Sequence, residues 1–326
     1  MSEEKMYGSS LKGMRSALKE TLLEVARQNE RVVVIDCETG TATNILGFKT
    51  AFPDRFIELG VAEQNSISFA FGIASAGLVP IVPLFSSFMT RRACDQIFIQ
   101  AGYAAANIKM IGCYSGLSTP NTGATHQSVN DVTIMRSIPG VVVVETCCES
   151  ELREAILAAV AYHGPVYIRM IRGDVAPYED MTVPLQGRFE LGKARVLREG
   201  ADVTLVACGL MTKRCLAAAD RLLESGISAE VLDCSTIKPL DAKTILDSAG
   251  KTGAVVTAEN HSILGGLGGA VAELLGEGCP VPMKRVGIQD RYGESGPMED
   301  LLPEYGLTAE AVVEAARSVL ARKTKG

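Results

Sequence analysis

Apolar positions along the chain follow two rhythms that keep replacing one another. A face spaced for a helix, with Leu11, Met14, Leu18, Leu22 and Val25 and a cap at Ser9 or Ser10, runs into RVVVID at 31–36, an unbroken apolar run that reads as a buried strand. RFIELG (55–60) predicts a second strand and a helix follows over about 63–76. A strand at 81–85, a helix over about 88–105 and the strand IKMIGC (108–113) come next. The loop YSGLSTPNTGAT (114–125) leads to a helix at 128–137, the strand VVVVE (141–145), a helix at 150–162 and the strand PVYIRM (165–170). Short, uniformly apolar strands alternating with helices are the pattern of a parallel sheet covered on both faces, so a doubly wound α/β domain is expected.

The rhythm stops at 171–188, where Gly173, Pro177, Pro184 and Gly187 interrupt it, and a domain boundary is placed there, dividing 1–185 from 186–326. Beyond it strands are expected at 201–209, 228–234, 253–260 and 284–288, with helices up to 225 and near 241–249, 268–275 and 308–321. The second domain is therefore a smaller open α/β sheet. A chain of 326 residues has the length for two such units.

Composition narrows the classes of function. From Gln64 to Thr90 there are 27 residues without a charge, but Pro80, Pro83 and five serines interrupt them, so a membrane span is not expected. The net charge of −6 argues against nucleic acid, whose phosphates call for a basic excess. Nine scattered cysteines without a CxxC pair fit neither a disulfide framework nor a zinc site and point to a reducing compartment; with a polar, acidic N-terminus, a cytoplasmic location is expected.

Ligands of open α/β sheets sit at the carboxyl ends of strands, so the residues just past each strand are the candidates. Glu63 follows the second strand among Val61, Ala62 and Phe69. It reads either as a solvated acid favoured by the helix dipole or as a carboxyl held in an apolar pocket, where burial favours its protonated form. Phe85 and Phe88 lie one helical turn apart and can wall a flat heterocycle or pack in the core. The long loop delivers His126, an acid/base or simply a turn residue, and Arg169 and Arg172 can hold an anion or lie on the surface. GGLGGA (265–270) lacks the third glycine of a dinucleotide loop, since that position is Val271, and is better suited to close packing at a helix start. GxxxxGK[ST], HExxH and GxSxG do not occur.

The pieces GVAEQN (60–65), FMTRRACDQ (88–96), GATHQ (123–127), AENHSILGGLGGAVAE (258–273) and DRYGESGPMEDLLPEYGLT (290–308) together resemble the C-terminal half of transketolases, most closely the separate C-terminal subunit of split transketolases. The resemblance implies a pyrimidine-binding domain followed by the transketolase C-terminal domain. It implies thiamine diphosphate bound between two chains and transfer of a two-carbon ketol unit from a ketose to an aldehyde. The family's diphosphate motif is not found here, which implies an N-terminal partner subunit holding the diphosphate and a divalent metal, Mg or Ca, in a dimer of heterodimers. By the same resemblance Glu63 bonds the aminopyrimidine, Phe85 and Phe88 flank it, and Glu38 stands near the thiazolium. His126 contacts substrate hydroxyls and helps move protons, while Arg172 and Arg15 grip a sugar phosphate. Tyr114 and Thr122 replace a histidine and an aspartate of the family, which implies a sugar other than the ordinary pentose phosphates. Two other readings compete: the beta subunit of a 2-oxoacid dehydrogenase, and a non-enzymatic nucleotide-binding α/β module.

Overall fold

The computed structural model describes residues 13–172, 185 and 187–323; the cap at Ser9 or Ser10, Leu11 and most of the 171–188 boundary lie outside the described residues. Six strands of the first half are β1 (Val32–Asp36), β2 (Phe56–Glu58), β3 (Val79–Phe85), β4 (Lys109–Cys113), β5 (Val142–Glu145) and β6 (Val166–Arg169). The second half adds β7 (Arg195–Arg198), β8 (Val203–Ala207), β9 (Ala229–Asp233), β10 (Thr236–Lys238), β11 (Val255–Ser262) and β12 (Met283–Ile288). The seven-stranded sheet has the order β10-β5-β6-β4-β3-β1-β2 and the five-stranded sheet β12-β11-β8-β9-β7. Every pairing is parallel except β10 with β5 and β7 with β9, both antiparallel edges. The expected doubly wound α/β architecture is present.

Chain order reverses direction across the sheet at β1, whose neighbours are β2 on one side and β3 on the other. The carboxyl ends of β1 and β3 therefore open onto the crevice where such sheets take ligands. The helix Glu63–Ser75 starts beside that crevice, and the helix Ser86–Arg92 leaves β3 without a turn. The single helix expected over 88–105 is replaced by Ser86–Arg92, a short turn at Cys94–Gln96 and a π-helical stretch, Ile97–Tyr103. Within the π-helical stretch Gly102 packs tightly: a Cβ there would lie 2.6 Å from Ile138 and 3.1 Å from the Pro139 carbonyl.

The two halves are joined by more than covalent linkage. β10 comes from the second half yet pairs with β5 through Thr236 and Lys238. Arg169, at the end of β6, is fully buried and spans the joint: Nε donates to Asp131 Oδ2 (2.8 Å), Nη1 to Glu145 Oε1 (2.5 Å), and Nη2 to the carbonyls of Ser128 (3.0 Å) and Asn260 (2.8 Å). Both sequence readings of Arg169, a ligand for an anionic substrate or a surface guanidinium, are thus corrected. Its donors are spent on two buried carboxylates and two backbone carbonyls.

Candidate functional site

Glu63 is the first residue of its helix and is buried, with 6% of its surface exposed. It lines a cavity of about 710 Å³ together with Val61, Ala62, Gln64, Asn65 and Arg92. The neighbourhood is less apolar than the sequence suggested, because Arg92 Nη1 donates to Oε1 at 2.6 Å. Among the described residues nothing bonds Oε2. The Arg92 guanidinium in turn lies 4.2 Å from the centre of the Phe88 ring, so one residue links the carboxylate to the aromatic wall.

That wall is built at the end of β3. Phe85 and Phe88 stand 5.7 Å apart between ring centres. Phe85 meets Tyr114 edge-on at 4.7 Å, and the His126 ring lies 4.9 Å from Phe88 and 6.1 Å from Phe85. The loop anticipated between β4 and the next helix thus folds back over β3 and brings His126 to the aromatic pair. Its Nδ1 shares a hydrogen bond with Thr125 Oγ1 (2.8 Å). Partial burial, then the charges of Arg91 and Arg92, lower the His126 pKa and favour the neutral ring.

Tyr114 adopts a left-handed backbone, φ 62°, and so does Glu38, φ 56°. Both are strand-end positions where strain of about 1–3 kcal/mol is held by the surrounding structure. The Tyr114 hydroxyl donates to the Ala42 carbonyl at 2.7 Å, and Arg15 Nη1 donates to the same oxygen at 2.9 Å. Arg172 lies 5.5 Å over the Tyr114 ring. Arg15, Tyr114 and Arg172 therefore converge beside the aromatic cluster. Thr122 is exposed, and its hydroxyl is taken by Thr119, through the side chain at 2.6 Å and the carbonyl at 2.9 Å.

Glu38 is exposed, and it is its backbone N–H that is bonded, to Glu58 Oε1 at 3.0 Å. The acid held at the end of β1 is instead Asp36, which sequence reasoning passed over. Oδ1 accepts from the Cys37 and Thr39 backbone and the Thr39 hydroxyl, and Oδ2 from the Gly40 N–H at 2.8 Å. Burial, with the Glu58 carboxyl paired in register across β2, raises its pKa, while the bond from Thr39 opposes that. Its place as the last residue of the apolar run VVVID was the available signal: an acid closing a fully buried strand must find donors.

The glycine-rich segment at 265–270 is occupied by the protein itself. Glu259 accepts the N–H groups of Leu267 (2.7 Å) and Gly268 (2.8 Å) at the start of the helix Leu267–Gly278. A Cβ on Gly266 would lie 1.9 Å from Glu259 Oε2. The anion position of this helix start is filled by a side-chain carboxylate, in keeping with the close packing expected of the segment.

Comparison with known proteins identifies both domains of the chain. The transketolase pyrimidine-binding domain matches residues 12–177, and the transketolase C-terminal domain matches 192–312. The 6-deoxy-6-sulfo-D-fructose transketolase subunit of Clostridium sp. (strain MSTE9) is 44% identical over 95% of this chain and 95% of its own length. An apulose-4-phosphate transketolase subunit of Phocaeicola vulgatus is 34% identical over 93% of this chain and 96% of its own. A solved split-gene transketolase, described as an inactive beta4 tetramer, superposes with a TM-score of 0.87 at 40% identity, covering 95% of this chain and 99% of that one. With both domains matched in order, and with the cavity, aromatic wall and histidine loop at the switch point of the first sheet, the chain belongs to the transketolase family.

Proposed function

We propose that this chain supplies the pyrimidine side of a thiamine-diphosphate-dependent transketolase and, with an N-terminal partner chain, moves a two-carbon ketol unit from a ketose to an aldehyde. The observation that carries the reading is the buried Glu63 carboxylate, lining a large cavity next to Phe88, Phe85 and His126, with one oxygen on Arg92 and the other unbonded among the described residues. These residues fit the aminopyrimidine half of the cofactor: a shielded acid for the ring nitrogen and aromatic rings for its faces. When bound, thiamine diphosphate supplies the carbon nucleophile of ketol transfer. Glu63 would share a proton at Oε2 with the pyrimidine, the aromatic rings would keep water away, and neutral His126 would accept or return a proton at a substrate hydroxyl. Asp36, fixed by four hydrogen bonds, is a better candidate than Glu38 for the thiazolium side.

The diphosphate and its divalent metal, Mg or Ca, are assigned to the partner. Among the described residues the one cluster of three possible metal donors, Cys147, Glu151 and Asp233, includes no residue of the Glu63 cavity. For the assembly we favour a dimer of heterodimers, supported by the relative described as an inactive tetramer of one chain type. For the substrate we favour a ketose with an anionic end. Arg15 and Arg172 converge at Tyr114, and the two relatives above are named for a sulfonated and a phosphorylated sugar. A cytoplasmic location fits nine free cysteines and the absence, among the described residues, of a helix long and apolar enough to cross a membrane.

The test is reconstitution with a chain carrying the diphosphate motif, thiamine diphosphate and Mg, assayed on ketoses ending in phosphate, sulfonate or a neutral hydroxymethyl group. Ketol transfer by the pair, none by this chain alone, and a preference for the anionic donors are expected. Release of carbon dioxide from 2-oxoacids without ketol transfer would favour the dehydrogenase reading instead.

A further inference from the structure

The loop that carries Tyr114 and His126 is held from both halves of the molecule. Its base is closed by the backbone pair Gly116–Ser128, at 2.9 and 3.1 Å, and by the Ser115 N–H on the Met170 carbonyl. Asn260 of β11, fully buried, reaches into that base: Oδ1 accepts the Leu117 N–H at 3.2 Å and Nδ2 donates to the Ser115 carbonyl at 3.5 Å. The Asn260 carbonyl and the Ser128 carbonyl share Arg169 Nη2, so one guanidinium nitrogen ties β11 to the residue that closes the loop. Gly116 has φ 56°, and a Cβ there would lie 2.3 Å from the Asn260 side chain and backbone. Further along, Gln127 Nε2 donates to the Glu294 carbonyl and the Gly296 N–H to the Pro120 carbonyl.

We infer that Asn260 is a positioning residue for the reaction, setting the register in which the 114–128 loop presents Tyr114 and His126 to Phe85 and Phe88. The inference rests on the functional reading above, in that the loop serves ketol transfer. The residues flanking Gly116 offer Asn260 one donor with no other partner among the described residues, the Leu117 N–H, and one acceptor, the Ser115 carbonyl, which also takes the Ser118 N–H (3.1 Å) and hydroxyl (2.7 Å). A side-chain amide matches both, whereas a carboxylate offers no donor and an alkyl group offers neither. Leu117 is fully buried, so its N–H, once released, has no water to turn to and the loop must shift to satisfy it.

The test uses the two-chain enzyme with Asn260→Ala. Asn260→Asp keeps the shape and the acceptor for Leu117 but loses the donor to Ser115, and is read in the same way if the alanine variant does not fold. Leu222→Ala, a buried truncation in the helix Leu210–Glu224 away from the contacts named above, is the stability control. A displacement near 1 Å costs up to about 100-fold, so kcat/KM should fall at least ~10-fold in the Asn260 variant. Thiamine diphosphate affinity should hold and amide exchange at Leu117 should quicken, while the control melts earlier with its kinetic constants intact. Unchanged kcat/KM, a loss matched by the control, or unchanged exchange at Leu117 would overturn the inference. A wild-type pair without ketol transfer would instead defeat the functional reading, and the Leu117 exchange would still show whether Asn260 holds the loop.

Discussion

Glu63→Gln separates the chemical role of this residue from its structural one. The glutamine carbonyl can still accept from Arg92 Nη1, which sits 2.6 Å from Oε1, so the change removes the ionic part of the contact and keeps the hydrogen bond. The Arg92 side chain is 51% exposed against 7% for Glu63, so the guanidinium left without its counter-charge remains hydrated. A pair with one solvated partner is worth about 0.2–1 kcal/mol, and the fold should be nearly untouched. At about 2–4 °C per kcal/mol for a chain of this size, the melting temperature should move by no more than ~4 °C. Turnover should behave differently, because an amide cannot exchange a proton with the pyrimidine nitrogen. Positioned proton transfer is worth about 10²–10⁴-fold. That corresponds to about 3–5 kcal/mol on the barrier. The assay is ketol transfer by the reconstituted pair at saturating cofactor and substrate, with a thermal melt of the same preparation. Turnover within about threefold of the wild type, roughly 0.7 kcal/mol on the barrier, would refute the assignment. Activity lost only in proportion to the unfolded fraction would refute it equally.

Arg169→Met leaves Asp131 and Glu145 buried without their counter-ion, and breaking such a group from one side costs about 3–5 kcal/mol; a melting temperature within a degree or two of wild type would contradict the buried network. His261 is fully buried, and burial lowers its pKa from 6.5 to about 4 against the opposing charge of Asp131. Between those values the unfolded chain takes up a proton that the folded chain refuses, so stability should fall as pH drops from about 6.5 to 4. His261→Gln should make that acid limb shallower in melts taken across pH, and parallel curves would count against it. Gly266→Ala puts a Cβ 1.9 Å from Glu259 Oε2 and forces the carboxylate off two backbone N–H groups. A loss of about 1–3 kcal/mol in urea unfolding is expected, and a neutral result would mean the helix start is not sealed as described.

Much of this was readable in the sequence, and what was missed has a common cause. The runs VVVID, VPIVPLF and KMIGC are buried on both faces and apolar except at Asp36 and Lys109, at their ends, and their strands fall within a residue or two of expectation. β10 is three residues long and is a strand only because β5 lies beside it, which no local pattern reports. The same limit governed the site. That Glu63, Phe85, Phe88 and His126 follow strands and loops of the first sheet was legible from order alone. That Glu63 pairs with Arg92, 29 residues on, depends on how two helices cross. Arg169 was misread and Asp36 passed over for one reason: charge along a sequence suggests exposure, while burial is decided by partners. Those of Arg169 lie in three distant segments, at Asp131, Glu145 and Asn260.

The joint between the two halves carries an unusual load of polar groups. Asp131, Glu145, Arg169, Glu259, Asn260 and His261 are all at 0–1% exposure. An apolar joint would avoid the desolvation that these groups suffer, so stability alone does not account for them. Hydrogen bonds differ from apolar contacts in being directional, and a buried hydrogen-bonded set admits fewer registers than a greasy surface. The register fixed here belongs to the loop 114–128, because Arg169 and Asn260 end on Ser115, Leu117 and Ser128. The second half also adds β10 to the edge of the first sheet, next to the strand that ends in Glu145. Among the described residues it contributes none to the Glu63 cavity, yet it fixes the frame against which His126 and Tyr114 are placed. The proposed catalytic constellation and its support are thus divided between the two sheets, with the polar joint connecting them.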